Sequence, residues 1–463
     1  MKHYVIIGGG VAGTTAAETI RSHDSQSEIT IISGESYPFY YRPMLSDYFG
    51  GSIAKERLIA RRTEDYASKK IRLLTGVSAV STDATEQRIA LNSGDMIGYD
   101  VLLIATGRKP ARAEWDPGKI KGIFYLSSLD DAEAISSSIQ RINKAVVVGC
   151  NLFALEALRG LRARHISCIS LCEEDRFWPS ILDAQAAGII ERCLSNEHID
   201  VKKGLGIREI LLANGQVHGV VTTQDETIDC DAVIACTMPI PNVEFLGENG
   251  LPITDGIPVD EELRTSLPNI LAAGDVARVA EVSSGNSRVT PGWLPAWQQG
   301  GIAGANMAGE HQVYKGLTSI GARVFTYDLV ALGTTVSAEG GYREITGDYP
   351  HPDLPYVYKK LVLRDDIVVG AFFVGDASEA GIVDGWIRNR IPKKERQKKI
   401  VRQMFDTHVW WPAATLSALC PVCKFGIQVG EDAQDGDIVT CPACGVEFRL
   451  VHMPNGFFRA EHV

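Results

Sequence analysis

The chain opens on a short apolar run, Val5, Ile6 and Ile7, that stops at three consecutive glycines, Gly8 to Gly10. Gly13 follows, and the stretch TTAAETIRS then has helical composition and spacing, so the pattern predicts a buried strand, a tight turn and a helix. A second buried strand is predicted at EITIIS, residues 28–33. The same succession returns around residues 145–172, where KAVVVGCNLFALEALRGLRARHISCISLC reads as strand, turn, helix and strand. Residues 71–105 read as short strands, the last of them YDVLLI. Residues 321–391 alternate apolar and polar positions as antiparallel strands do, with a hairpin predicted at Arg364 to Asp366.

At 463 residues with 45% hydrophobic side chains and 45 glycines, the chain has room for two to four domains of α/β layers with many tight turns. A formal net charge of −11 argues against nucleic acid as a partner, because phosphate neutralisation needs a basic face. Residues 1–10 are already strand and turn, and no apolar run approaches the roughly 18 residues of a membrane span. A leader and a span are therefore not expected, and the cytoplasm is the expected compartment. Of ten cysteines, six are scattered through apolar stretches (Cys150, Cys168, Cys172, Cys193, Cys230, Cys236) and read as small buried hydrophobes. None of these forms a CxxC pair, so a dithiol shuttle is not expected.

The first turn has the composition of a phosphate cradle. Gly8 permits the sharp bend, Gly10 lets the backbone approach a pyrophosphate, and Gly13 lets helix and strand pack closely, while free helix N–H groups face the anion. Glu35, beyond the second strand, is placed to accept hydrogen bonds from an adenosine ribose. A merely structural turn is the alternative. In the second turn Gly149 remains, but Asn151 and Ala154 stand at the second and third glycine positions, and the acidic position falls near Cys172 and Glu173. A side chain at the second position obstructs approach to a pyrophosphate.

Residues 33–51, SGESYPFYYRPMLSDYFGG, hold too much proline and tyrosine for a regular helix and predict a shaped loop over a ligand. The segment YYRPMLS resembles a signature of FAD-dependent pyridine nucleotide reductases, the NADH:rubredoxin and ferredoxin reductases and the flavin module of nitrite reductases. The resemblance extends to Ala105, Thr106 and Gly107 after YDVLLI, and to LRTSLPNILAAGDV with Gly274 and Asp275. It implies that Arg42 and Pro43 line the FAD and that Asp275 bonds its ribitol and pyrophosphate region. It further implies that the helix Leu294 to Gly309 points its N-terminus at the flavin, and that the second turn, with Gly149 and Glu156, takes NAD(P)H.

The sequence departs from the resembled pattern in three places. Asp47 stands where the family usually has lysine, Met238 where it has glycine, and the loop lacks the cysteine of the related coenzyme A disulfide reductases. Thiol chemistry is therefore disfavoured.

Near the end of the chain, CPVC (Cys420, Cys423) and CPAC (Cys441, Cys444) are separated by 17 residues, a spacing that lets two knuckles close a tetrahedral metal site. Zinc is the favoured ion and iron the alternative. Residues 388–402 carry eight basic side chains and one acidic one, either a solvated linker or a docking patch for an acidic carrier.

The expected architecture is α/β. It has two Rossmann-like dinucleotide-binding domains, the FAD domain discontinuous (1–110 and 246–320) around an NAD(P)-binding-like domain (111–245). An α+β interface domain (321–390), a basic linker (391–416) and a small metal ribbon (417–463) follow. The expected function is FAD-dependent electron transfer between NAD(P)H and rubredoxin, ferredoxin or an iron–sulfur subunit, in an oligomer or complex. The alternatives are a flavin subunit whose own nicotinamide site is degenerate, and a protein that keeps FAD only as a structural element. No residue is assigned a catalytic role.

Overall fold

The structure is a computed structural model that describes residues 1–247, 251–336, 340–349, 356–390, 416–420, 426–429, 433–441, 446–452 and 458–462. Two parallel five-stranded sheets carry its α/β part. In the first, β1 (His3–Ile7) lies between β2 (Glu28–Ser33) and Val101–Ile104, with Arg72–Thr75 and Ile270–Ala272 at the edges. Ile6 faces Ile31 on one side and Leu103 on the other. Tyr4 to Ile7 are all buried, as expected of a parallel strand covered on both faces. The edge strand Ile270–Ala272 arrives only after the chain has built the second sheet, so the first unit is discontinuous.

In the second sheet β3 (Lys144–Val148) lies between β4 (Ser167–Cys172) and Ala232–Ala235, with Asp200–Lys203 and Ile123–Tyr125 at the edges. The chain leaves and re-enters the first unit through an antiparallel pair, Arg108–Pro110 with Pro239–Pro241. Helices α1 (Val11–His23), α2 (Leu45–Phe49), α3 (Leu152–Ala163) and α4 (Trp293–Met307) position the site. Small residues let α4 dock directly on α1. A Cβ at Gly304 would stand 2.5 Å from the Ala16 carbonyl oxygen, and one at Gly300 would collide with the Ala12 carbonyl.

Strands Ser319–Val324, Tyr327–Gly333, Tyr342–Tyr349, Val357–Arg364 and Ile367–Gly375 form a five-stranded antiparallel sheet covered by α5 (Ala380–Arg388), with the predicted hairpin turning at Asp365 and Asp366. Two lysines are buried in its strand Val357–Arg364. Lys359 meets Asp376 at 2.7 Å and Glu379 at 2.6 Å; Lys360 meets Glu344 at 2.8 Å and Asp183 at 2.9 Å. Asp183 caps the helix Ala184–Asn196 of the second unit, so the Lys360 pair ties that unit to the C-terminal sheet.

Beyond it lie a hairpin, Leu416–Leu419 with Gly426–Val429, and a three-stranded sheet, Ile438–Thr440, Glu447–His452 and Phe458–His462. The basic stretch lies outside the described residues from 391 onward. Its first two arginines serve the fold: Arg388 pairs with Asp384 at 2.8 Å and Arg390 donates to the Val282 carbonyl at 2.9 Å. Among the described residues no helix is long and apolar enough to cross a membrane.

Candidate functional site

The first glycine turn leaves its helix terminus open. Gly10 is the residue before α1, and no side chain caps the helix, so its first N–H groups have no side-chain acceptor at the cap. A Cβ at Gly10 would meet nothing within 4 Å, which marks free space beside those donors. The two flanking glycines are fixed by packing. Gly8 has φ +118° with its missing Cβ against the Ala105 carbonyl, and Gly13 lies against the Gly8 carbonyl. Glu35, two residues past β2, accepts from the Tyr40 hydroxyl at 2.6 Å and pairs with Arg42 at 2.6 Å. A carboxylate has about four acceptor positions, so both contacts leave it able to take a ribose hydroxyl.

The late aspartate comes to the same place from the other end of the polypeptide. Gly274, with φ +80°, puts its missing Cβ 3.0 Å from the Ala12 Cβ, and its N–H donates to Gln299 Oε1 at 2.8 Å. Asp275 follows. Its carboxylate accepts from the Gly292 N–H at 3.1 Å, at the residue preceding α4, so it holds the entry of that helix without being its cap. Burial pushes the Asp275 carboxyl above the ordinary carboxylate range, against the pull of the Gly292 N–H and of the Arg108 and Arg42 charges.

An aromatic wall closes this end. The Phe39 ring stacks on Trp293 at 5.4 Å, and Tyr41 lies 5.8 Å from Trp293. The Trp293 indole N–H and Gln298 Oε1 are buried without a partner among the described residues. Unpaired buried polar atoms are costly, so a polar ligand group reaching this end of α4 would satisfy them. The open cradle at Gly10, the half-buried Asp275 and these orphaned groups together fit FAD.

Thr106 and Gly107 stand at the crossing between the units. Thr106 Oγ1 donates to the Asn242 carbonyl at 2.7 Å, and Asn242 Nδ2 donates back to the Thr106 carbonyl at 3.0 Å. Pro43 is the second residue of the short 3-10 turn Arg42–Met44, where its missing N–H costs nothing. Met238, at the position of a family glycine, is exposed.

The second turn is built differently. Gly149 keeps the left-handed conformation, φ +120°, with its missing Cβ 2.6 Å from the Cys236 carbonyl oxygen. Asn151, however, caps α3. Its Oδ1 accepts from the Ala154 N–H at 3.1 Å and its Nδ2 donates to the Cys236 carbonyl at 2.7 Å. The acidic residue matching Glu35 is Glu174, which lies two residues past β4 as Glu35 lies two past β2. The side chain of Glu173 lies against Gly206. The sequence offered two adjacent glutamates, and only the strand end chooses between them. Glu174 Oε2 accepts from the Cys150 thiol at 2.6 Å.

Glu156 reaches across to the loop of the first unit. Ser46 Oγ donates to it at 2.5 Å, and Arg159 pairs with it at 2.7 Å and with Asp47. Asp47 therefore points at a guanidinium, and its charge is neutralised. Arg159 and Ser46 escaped the sequence reading because they complete a network between α2 and α3 that no spacing reveals. The six scattered cysteines are all buried.

Of the four ribbon cysteines, Cys420 and Cys441 are buried in one apolar cluster with Phe448 and Phe458, each just past a strand end. Cys423 and Cys444 lie outside the described residues.

Two parallel units, each with a glycine turn at the carboxyl end of its first strand, define a two-dinucleotide α/β protein. Comparison with known proteins makes the class specific. Residues 2–309 match the pyridine nucleotide-disulphide oxidoreductase family, and the chain belongs to that family. Residues 418–455 match the zinc-ribbon family described as alpha-aminoadipate carrier protein LysW-like, globular domain.

Among similar proteins, the rhodocoxin reductase of Rhodococcus erythropolis is 32% identical over 274 residues, 59% of this chain and 64% of the relative's length. An NADH oxidase of Methanocaldococcus jannaschii is 28% identical over 400 residues, 82% of this chain and 89% of the relative. The solved NAD-dependent persulfide reductase from A. fulgidus superposes with a TM-score of 0.80 at 25% identity, covering 89% of this chain and 80% of that one.

Proposed function

We propose that the chain is an FAD-dependent oxidoreductase that passes electrons between NAD(P)H and a small protein carrier of the rubredoxin, ferredoxin or iron–sulfur type. The observation that carries this reading is the meeting of the uncapped α1 terminus, Glu35 and the half-buried Asp275 from three distant stretches of chain. FAD, when bound, supplies the exchange between paired and single electrons. The protein's part is to hold and polarise. Gly8, Gly10 and Gly13 admit the pyrophosphate to the α1 donors, Glu35, steadied by Arg42, accepts the ribose hydroxyl, and Asp275 accepts from the ribitol side. Pro43 and Ala105 to Gly107 shape the backbone around it, and the N–H groups at the start of α4 favour negative charge near the aromatic wall.

Gly149, Glu156 and Glu174 belong to the nicotinamide side. Carrier proteins as partners are supported by the reductase relatives, among them rhodocoxin reductase and the rubredoxin-NAD(+) reductase of Pseudomonas putida. The ribbon, through Cys420, Cys423, Cys441 and Cys444, would hold zinc, with iron as the alternative, and would serve docking within an oligomer or complex in the cytoplasm.

One observation favours a second reading. The Asn151 cap and the Cys150–Glu174 contact leave the second turn self-satisfied, as in a flavin subunit reduced by its partner. Anaerobic mixing with NADH and with NADPH separates the two: bleaching of the flavin band within seconds supports the enzyme, and none with either nucleotide overturns it. Metal analysis together with the visible spectrum decides zinc against iron.

A further inference from the structure

Three ligand-type side chains meet where the second turn faces the end of β4. Cys150 lies within the turn, between Gly149 and Asn151, Cys172 is the last residue of β4, and Glu174 follows two residues on. One donor atom from each lies within 4.8 Å of the other two. The Cys150 thiol is 2.6 Å from Glu174 Oε2, and the Cys172 thiol is 3.9 Å from the same oxygen. Both cysteines are buried and Glu174 is exposed, so the cluster is walled by protein on the sulfur side and open to solvent on the other. Two sulfurs and an oxygen converging on one point form a donor set that suits a thiophilic divalent ion. Tetrahedral zinc with Zn–S near 2.3 Å and Zn–O near 2.0 Å needs its sulfurs roughly 3.8 Å apart and each sulfur roughly 3.5 Å from the oxygen, so the sulfurs close by about 1 Å at most while the exposed Glu174 carboxylate swings about 1 Å away from Cys150 to admit the ion.

We propose that Cys150, Cys172 and Glu174 form a binding site for a thiophilic divalent cation of the zinc or cadmium class, distinct from the ribbon, and that its occupancy competes with the nicotinamide dinucleotide. On binding, two S–H bonds are exchanged for two metal–sulfur bonds and both protons go to solvent. The carboxylate supplies the third ligand, water the fourth, and no electron changes hands. Competition follows from position. Glu174 is the counterpart of Glu35, so a carboxylate committed to a cation is withdrawn from the adenosine ribose. This half of the proposal rests on the nicotinamide reading above; the cation site itself does not.

The test uses the full-length protein, with FAD and ribbon metal as purified, and Cd2+ as the probe. Equilibrium dialysis and the thiolate-to-cadmium absorption band should show one more Cd2+ per chain in the wild type than in Cys150→Ala or Cys172→Ala. Ribbon uptake is common to all three and cancels. Glu174→Gln, an exposed change that leaves both thiols in place, should keep the extra ion with affinity about tenfold weaker, and it serves if the cysteine variants fail to fold. Equal stoichiometry in the wild type and the cysteine variants overturns the site, as does unweakened binding in Glu174→Gln.

In a second measurement, the apparent Kd for NADH should rise about tenfold when Cd2+ is present at ten times its own Kd, and should stay level in Cys150→Ala. An unchanged Kd in the wild type overturns the competition. If NADH binds neither form, the nicotinamide reading and the competition both fall, while dialysis still decides the cation site.

Discussion

The two glycine turns share a blueprint and differ in what they do with their own polar groups. In the first, Gly10 leaves both the donors of α1 and the space beside them free, so an anion from outside is the natural acceptor. In the second, Asn151 turns its amide inward, satisfies the Ala154 N–H and ties the turn to Cys236, while the Cys150 thiol engages Glu174. One turn is left open for a ligand to finish, and the other is finished by the chain. A side chain at the second glycine position thus does more than obstruct: it takes the place of part of the ligand.

The largest test of this contrast transplants the second turn's feature into the first. Gly10→Asn places a side chain in empty space at an ordinary φ of −77°, so folding should be preserved. FAD affinity should fall by roughly a hundredfold, about the loss of two charge-assisted hydrogen bonds of 1.5 kcal/mol each. The flavin content of purified protein, beside a normal far-UV spectrum, is the readout, and retained stoichiometric flavin would break the contrast.

Next in size is Arg159→Ala, which leaves Asp47 and Glu156 facing each other between the two units. Breaking a buried pair costs about 3–5 kcal/mol, and partial exposure of this one lowers the expectation to roughly 2–3 kcal/mol in denaturant unfolding. Adding Asp47→Ala should recover part of that loss. No recovery would mean that the pair does not link the units.

Asp275→Asn should weaken FAD by about ten- to hundredfold. Its stability effect has the opposite sign. Because burial raises the Asp275 pKa, the folded apoprotein holds this proton more tightly than the unfolded chain does. Stability from this group is present at low pH and is lost as pH climbs from the ordinary carboxylate value to the raised one. The asparagine variant removes that slope and should leave the apoprotein more stable than the wild type at neutral pH. A lower melting temperature for the apo variant there would contradict the assignment.

The smallest expected change is Asn151→Gly, which gives the second turn the form of the first. Losing the cap to glycine costs a few tenths of a kcal/mol. The freed N–H groups should tighten NADH by about two- to fivefold in a binding titration. Weaker binding would mean that the capped form is itself the receptive one.

Much of this was legible without coordinates. The strand, turn and helix of the first unit, its repetition, the family resemblance through Asp275 and the antiparallel strands of the C-terminal sheet rest on local periodicity, glycine spacing and motif, and are present in the structure, although Val357–Arg364 is buried nearly throughout where alternation was expected. The acidic residue of the second unit was placed one position early, since a glutamate doublet cannot be resolved without knowing where β4 ends. Where Asp47 points was not legible, because its partner, Arg159, lies on a helix more than a hundred positions away.

The sequence by itself determined the strand, turn and helix of each dinucleotide unit, that two glycine turns exist, and that the second lacks the glycine at Asn151, because backbone preference and apolar period act over a few residues; the short helix Leu45–Phe49, inside a segment read as a loop, was not among them. The tertiary structure alone decided that Gly274 lies against α1 and Asp275 against the entry of α4, that Asn151 folds inward as a cap, and that Cys150, Cys172 and Glu174 converge. Those outcomes depend on side chains far apart in the chain competing for the same hydrogen bonds and the same space, a competition that exists only once the sheets have packed.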